Sequence, residues 1–234
     1  MSSIFTQPTL RPVTMCGGRV PFSTHLCAFF DSEDQEYECL VPYFEEGIAQ
    51  GEQVVSIRDA TQVRHHVEAL QRRFSAPADD PIRNNQLRIV ASEETYLVDG
   101  FFEAERMYNM LESVLSEAKE KFTRVRTCGD MTWALRELPG TDELMEYESR
   151  VNKLTSEHDC TLMCVYDVNK FSGRAVMDVL ATHPMVVMGD RVYENPYYVP
   201  PREFLQTLLR RGAAPLAKDE ATRQQALEAA AAAA

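Results

Sequence analysis

The sequence predicts an α/β fold, a mostly parallel central sheet with helices on both faces. Two observations predict it. Short apolar runs alternate with amphipathic helical patterns from residue 24 to residue 194, and this alternation implies right-handed strand–helix–strand units. The chain also has 234 residues, 44% hydrophobic and 26% charged, enough for one large core and neither disordered nor a disulfide miniprotein in composition.

The first strand is expected over Thr24–Phe30, followed by a helix over 33–50. In that helix Tyr37, Leu40, Val41, Phe44 and Ile48 recur at i, i+3, i+4, i+7, with Asp31 or Ser32 as N-cap and a kink at Pro42. A strand over 53–57 leads to a helix over 61–74 carrying Val63, Val67, Leu70 and Phe74 on one face. A third strand follows over 86–91. The helix over 102–121 is marked by Met107, Met110, Leu111, Val114 and Leu115. Strand 124–128, helix 141–157, strand 161–166 and helix 172–181 complete the alternation, and Met185–Met188 with Arg191–Glu194 form a hairpin around Gly189-Asp190.

Residues 1–22, with Pro8, Pro12, Pro21 and Gly17-Gly18, read as an arm too short for a helix-turn-helix. Residues 213–234 end in six alanines and read as a tail, disordered or of non-native origin, which leaves 23–212 as the domain. No internal repeat of fixed period is present.

The net charge of −12, from 24 Lys+Arg against 36 Asp+Glu, argues against a nucleic-acid surface. No apolar run approaches the ~18 residues of a membrane span and the N-terminus lacks signal-peptide order, so a cytosolic protein without a membrane partner is expected. The six cysteines lie mostly in apolar stretches, where reduced buried thiols are expected.

Ligands of parallel sheets bind at the carboxyl ends of the strands, and here those ends carry Asp31, Asp59, Glu93 with Glu94, Asp130 and Asp167. Such an edge repels phosphates and suits a cationic, hydroxylated or metal-bearing ligand, or a neutral hydrogen-bond donor. A nucleotide-binding relative would have a glycine-rich, lysine-containing turn after its first strand. This chain has Phe29-Phe30-Asp31-Ser32-Glu33-Asp34-Gln35-Glu36. ATP, GTP and NAD are therefore disfavoured, and no cofactor is expected.

Gly129-Asp130-Met131-Thr132-Trp133 puts the single tryptophan beside a carboxylate at that edge, and Glu148 and Asn152 share a helix face next to Tyr147. His25 and Cys27 share a strand face, and with Cys128 and Cys164 they form an alternative zinc or thiol site if their strands are neighbours. His65-His66 reads as solvated helix surface, and His158 as a helix-end residue. No nucleophile, base and oxyanion donor can be placed together, so the expected function is not enzymatic.

These strings resemble the MEDS domain, the methanogen and methylotroph sensory domain named after the dichloromethane-responsive repressor of methylotrophs. The resemblance runs over about residues 23–206. It rests on His25-Leu26-Cys27-Ala28-Phe29-Phe30, Tyr43-Phe44-Glu45-Glu46-Gly47-Ile48, Gly51-Glu52, Thr95-Tyr96 and Gly129 to Trp133. It continues through Tyr147-Glu148, Asn152, Thr182-His183-Pro184, Asn195-Pro196-Tyr197-Tyr198, Pro200-Pro201 and Phe204-Leu205. It implies a RecA/KaiC-like core with a degenerate nucleotide site and a bacterial sensory role in signal transduction or transcription regulation, proposed for small hydrocarbon derivatives. Where the family commonly has Glu, this chain has Asp130. The flanks leave no room for an output module, so a stand-alone domain signalling through a kinase, anti-sigma or transcription-factor type partner is expected, with a homodimer possible on general grounds.

The expected ligand site combines Phe29, Tyr96 and Trp133 as walls with His25, Asp31, Asp130, Glu148 and Asn152 as polar handles. Asn195, Tyr197 and Tyr198 either close over it or pack the terminal loop, and His183 is open between a turn residue and a functional histidine. The alternatives are an interaction scaffold on a degenerate RecA-like fold and the Cys/His metal or thiol enzyme.

Overall fold

The computed structural model describes residues 11–75 and 79–233. The chain runs β1 (Val13–Met15), β2 (Gly18–Val20), β3 (Thr24–Phe30), α1 (Glu33–Ala49), β4 (Gln53–Arg58), α2 (Val63–Arg73), α3 (Asp79–Arg83) and β5 (Leu87–Ala91). It continues with α4 (Ala104–Ala118), β6 (Val125–Asp130), α5 (Leu144–Glu157), β7 (Cys160–Asp167), α6 (Gly173–Thr182), β8 (Met185–Met188), β9 (Arg191–Glu194), α7 (Pro201–Arg211) and α8 (Glu220–Ala233). Seven strands form one sheet in the order β5-β4-β6-β7-β3-β8-β9. All neighbours are parallel except β9, which returns antiparallel to β8 as the sequence predicts.

Every residue of β3 is buried, as a central parallel strand covered on both faces requires. Its side chains alternate between two cores. Cys27 and Phe29 join Cys164, Tyr166 and residues of α4, α5 and α6 on one face. Leu26, Ala28 and Phe30 join α1 and α2 on the other. Helix α1 continues through Pro42, and Ser32 occupies its N-cap position without a side-chain cap bond.

The chain ends differ from the sequence expectation. In the arm, residues 11–22 include the β1–β2 hairpin, whose Val13, Met15 and Val20 are buried against α1; residues 1–10, with Pro8, lie outside the described residues. The tail is ordered through Leu216 and Ala217, whose N–H groups donate to Glu137, and forms α8 up to Ala233. Its alanines are strong helix formers, and α8 lies along the 3₁₀ turn Thr132–Arg136. Two of the six cysteines are not free thiols: Cys16 and Cys39 form a disulfide with Cα atoms 5.5 Å apart, tying the hairpin to α1. The other four cysteines are buried and free.

Candidate functional site

A cavity of about 310 Å³ lies at the carboxyl ends of β3, β4, β6 and β7, lined among others by Glu33, Glu36, Arg58, His65, Asp130 and Lys170. The strand-end carboxylates that frame this edge are mostly engaged. Asp59 and Glu93 both bind Arg136, at 2.7 and 2.9 Å, and Asp59 also caps the turn at Thr61. Asp130 accepts from the N–H and hydroxyl of Thr132, at 3.1 and 2.7 Å. Asp167 pairs with Lys170 at 2.9 Å. Arg58, buried, pairs with Glu36, and that carboxylate together with burial decides its state: burial works against the charge, and Glu36 restores it and raises the pKa further. The edge is therefore a lattice of paired charges rather than a bare acidic rim.

His66 is buried here, not solvated as its helix position suggests. Its Nδ1 meets the Tyr37 hydroxyl at 2.7 Å and its Nε2 meets the Ser56 hydroxyl at 3.0 Å. Burial, with Arg58 and His65 adding to it, holds the imidazole far below its ordinary pKa. The unfolded chain takes up this proton near pH 6.5 and the folded chain does not. Stability is thus full above that pH and falls below it, by up to about 1.4 kcal/mol per pH unit for this group. His66→Gln is expected to flatten the decline of urea midpoint between pH 6.5 and 5; an unchanged slope would assign it elsewhere.

A second cluster lies inside the sheet's other face. His25 on β3, Glu148 on α5, Cys164 on β7 and His183 just past α6 are all buried, with ligand-capable atoms within 4.8 Å of one another. Glu148 Oε2 is 3.2 Å from His25 Nε2, 3.4 Å from His183 Nε2 and 3.5 Å from Cys164 Sγ. Its Oε1 accepts from the Tyr166 hydroxyl at 2.9 Å. Burial, with His183 adding to it, lowers His25 to about 4 even though Glu148 opposes this. Burial and Glu148 raise the Cys164 thiol well above its usual range, so Cys164 without a metal is an inert thiol, not an activated nucleophile.

The eight expected ligand residues are thus not one pocket. Asp130 lines the edge cavity, while Asp31 is exposed outside its lining. His25 and Glu148 meet in the buried cluster, with Asn152 alongside donating to the Thr182 carbonyl at 2.8 Å. Tyr96 and Trp133 stack on each other at 4.8 Å within the core, and Phe29 packs on Tyr166 at 5.8 Å. The expected convergence of His25, Cys27, Cys128 and Cys164 also changes. β6 and β7 are neighbours, but the register pairs Cys128 with Met163 and sends it to the opposite core from Cys164. Cys27 is on the correct face, but its Sγ approaches the Met185 carbonyl at 3.8 Å instead. Glu148 and His183 take their places. Asn195 packs rather than closes, holding the His183 carbonyl at 2.7 Å while Tyr197 is exposed. Tyr166 shares the Cys164 face of β7 by period-two spacing, a signal the sequence carries without marking the residue as functional.

Residues 24–184 match the profile of MEDS, the MEthanogen/methylotroph, DcmR Sensory domain. The chain belongs to the MEDS family. A relative of this MEDS chain is the transcriptional repressor DcmR of Methylorubrum extorquens, 26% identical over 171 residues. That alignment spans 72% of this chain and 61% of the repressor. A KaiC-like protein of the hyperthermophilic archaeon Pyrococcus horikoshii superposes with TM-score 0.49 and 13% identity, over 74% of this chain and 73% of that one. Among the described residues no helix is long and apolar enough to cross a membrane.

Proposed function

We propose that this MEDS chain is a non-enzymatic sensory and regulatory domain that binds a small organic molecule in the edge cavity and signals through a separate protein. The observation that carries this reading is the cavity itself. It is of small-molecule size, it sits at the strand ends where such sheets bind ligands, and Glu33 and Glu36 occupy the turn where phosphates would need N–H groups and a lysine. The polar wall suits an alcohol, amine or other hydrogen-bond donor rather than a nucleotide.

Thermal unfolding against a panel of small alcohols, amines and haloalkanes, with Mg-ATP alongside, tests this. A ligand at about a hundredfold its Kd is expected to stabilise the fold by about 2.7 kcal/mol, and Mg-ATP to leave it unshifted. Asp130→Asn keeps an acceptor for Thr132 but removes the charge, and is expected to weaken that ligand at least about tenfold, some 1.4 kcal/mol. A shift with Mg-ATP, or no response from any panel member, would overturn the reading.

A second reading is favoured by an apolar groove of about 230 Å³ under α4, where Met107, Met110, Leu111 and Val114 face Val55, Ile57 and Val90. It suits a halogenated or alkyl ligand without donors. Binding that is lost in Leu111→Ala and untouched in Asp130→Asn would move the site there.

A further inference from the structure

We propose that His25, Glu148, Cys164 and His183 are the four ligands of a buried zinc ion, a site that stands apart from the edge cavity. Tetrahedral zinc with Zn–N and Zn–O near 2.0–2.1 Å and Zn–S near 2.3 Å requires ligand–ligand edges of about 3.3–3.7 Å. Four of the six edges here measure 3.2, 3.4, 3.5 and 3.5 Å: Glu148 to His25, to His183 and to Cys164, and Cys164 to His25. The two remaining edges, from His183 to His25 and to Cys164, lie within 4.8 Å.

The hydrogen bonds outside the cluster turn its donor atoms inward. His183 Nδ1 donates to the Val179 carbonyl at 2.7 Å, so a neutral ring carries its lone pair on Nε2. That Nε2 is completely buried, has no hydrogen-bond partner, and faces Glu148 Oε2 at 3.4 Å. Two acceptor atoms aimed at each other repel unless a proton or a metal ion lies between them, and the cobalt spectrum separates these two. Glu148 Oε1 is occupied by Tyr166, so the single oxygen that faces His25, His183 and Cys164 is Oε2. Asn195 clamps the His183 carbonyl, and Asn152 clamps Thr182 beside it, so α5 and the segment after β9 hold the His183 turn in place. An imidazole oriented by a carbonyl bond, that of His183, and a carboxylate anchored by a hydroxyl are what metal ligands need around them, while His25 Nδ1 is buried without a hydrogen-bond partner.

The charges balance as well. A divalent ion with one thiolate and one carboxylate makes a neutral unit, the form that complete burial favours. Two imidazoles, a thiolate and one carboxylate oxygen select zinc over magnesium or calcium, which prefer oxygen ligands throughout. With four protein ligands the ion is structural, and it joins β3, β7, α5 and the end of α6 at one point. Binding releases the thiol proton to solvent.

The test uses the full chain, purified without chelator, with zinc counted by elemental analysis and, after exchange, cobalt(II) read by absorption. About one zinc per chain is expected. The cobalt form should show tetrahedral ligand-field bands together with a near-ultraviolet thiolate-to-cobalt charge-transfer band. Cys164→Ser should lose the charge-transfer band, and Cys27→Ser, a buried thiol on the same face, should keep it. Tyr166→Phe, which leaves all four ligands intact, should weaken zinc about 10–100-fold in chelator competition. Folding of each variant is checked by circular dichroism; if Cys164→Ser does not fold, the wild-type cobalt spectrum and Tyr166→Phe decide. Zinc-free wild-type protein that also yields no cobalt spectrum would overturn the proposal, as would a charge-transfer band lost in Cys27→Ser and kept in Cys164→Ser.

Discussion

Trp133→Ala is expected to lose about 3–5 kcal/mol of folding stability, the range for removing a large aromatic from a packed core. Trp133 is 1% exposed. Its ring stacks on Tyr96 at 4.8 Å and 16° and lies 5.1 Å from Phe102, and both of those rings meet Tyr147 edge-on. Each such aromatic pair adds about 0.5–1.5 kcal/mol beyond burial. The chain enters this cluster through a contact that only glycine permits: Gly140 has φ of +82°, and a Cβ there would sit 1.9 Å from the Phe102 carbonyl oxygen. Trp133→Phe should cost much less, because it keeps a ring in the stack and removes an indole N–H that is buried without a partner. Urea unfolding with an unchanged m-value checks both variants. If Trp133→Ala lost under about 1 kcal/mol, the cluster would not be the packed core its burial indicates.

Trp133 is expected from the sequence as a pocket wall and lies in the core instead of lining the edge cavity, for a physical reason. A tryptophan three residues after a strand-end carboxylate fits a pocket wall or a core anchor equally well, because sequence spacing does not say which way a 3₁₀ turn rolls. The elements that are legible depend on period alone. The mostly apolar Thr24–Phe30, the i, i+3, i+4 stripe of α1 and the Gly189-Asp190 hairpin form as expected, since burial enforces each local pattern. What fails depends on pairing. Cys128 and Cys164 have the right residue type and adjacent strands, yet a one-residue register difference puts them on opposite faces. The meeting of His183 with His25 and Glu148 is not legible for another reason: His183 enters the buried cluster where Asn195 and Asn152 pin the turn, and these contacts join separate elements. The charge of the strand ends is legible, but its neutralisation is not, because Arg58 and Arg136 come from a strand and a turn whose placement needs the sheet order. The tail misleads by composition: a run of alanines looks like filler, and up to Ala233 it extends a helix.

Arg126→Met is expected to cost about 3–5 kcal/mol, by leaving a buried carboxylate without the cation that hydrogen-bonds it. Arg126 is the second residue of β6 and is fully buried, with Nε on the equally buried Glu52 and Nη1 on Glu46 at 2.8 Å and on the Tyr43 carbonyl at 3.0 Å. Its guanidinium also lies over the Tyr43 ring, 5.0 Å from the centroid. Gly47 makes this possible, since a Cβ on that helix residue would come within 2.9 Å of Arg126 Nε. Burial opposes the arginine's charge, and the hydrogen bond to Glu52 with the charges around it outweighs burial and raises its pKa. Without Arg126, the remaining cation paired with Glu52 among the described residues is Arg124, at the longer distance of 3.6 Å. Removing the acid as well takes away the uncompensated charge, so Arg126→Met with Glu52→Leu should recover most of the loss. The double-mutant cycle in urea measures this directly. Strong coupling, with the double variant more stable than Arg126→Met alone, means the pair is held in place by the cost of breaking it. Additive losses would mean instead that Arg126 stabilises through packing over Tyr43, and then a methionine of similar length would already have restored part of it.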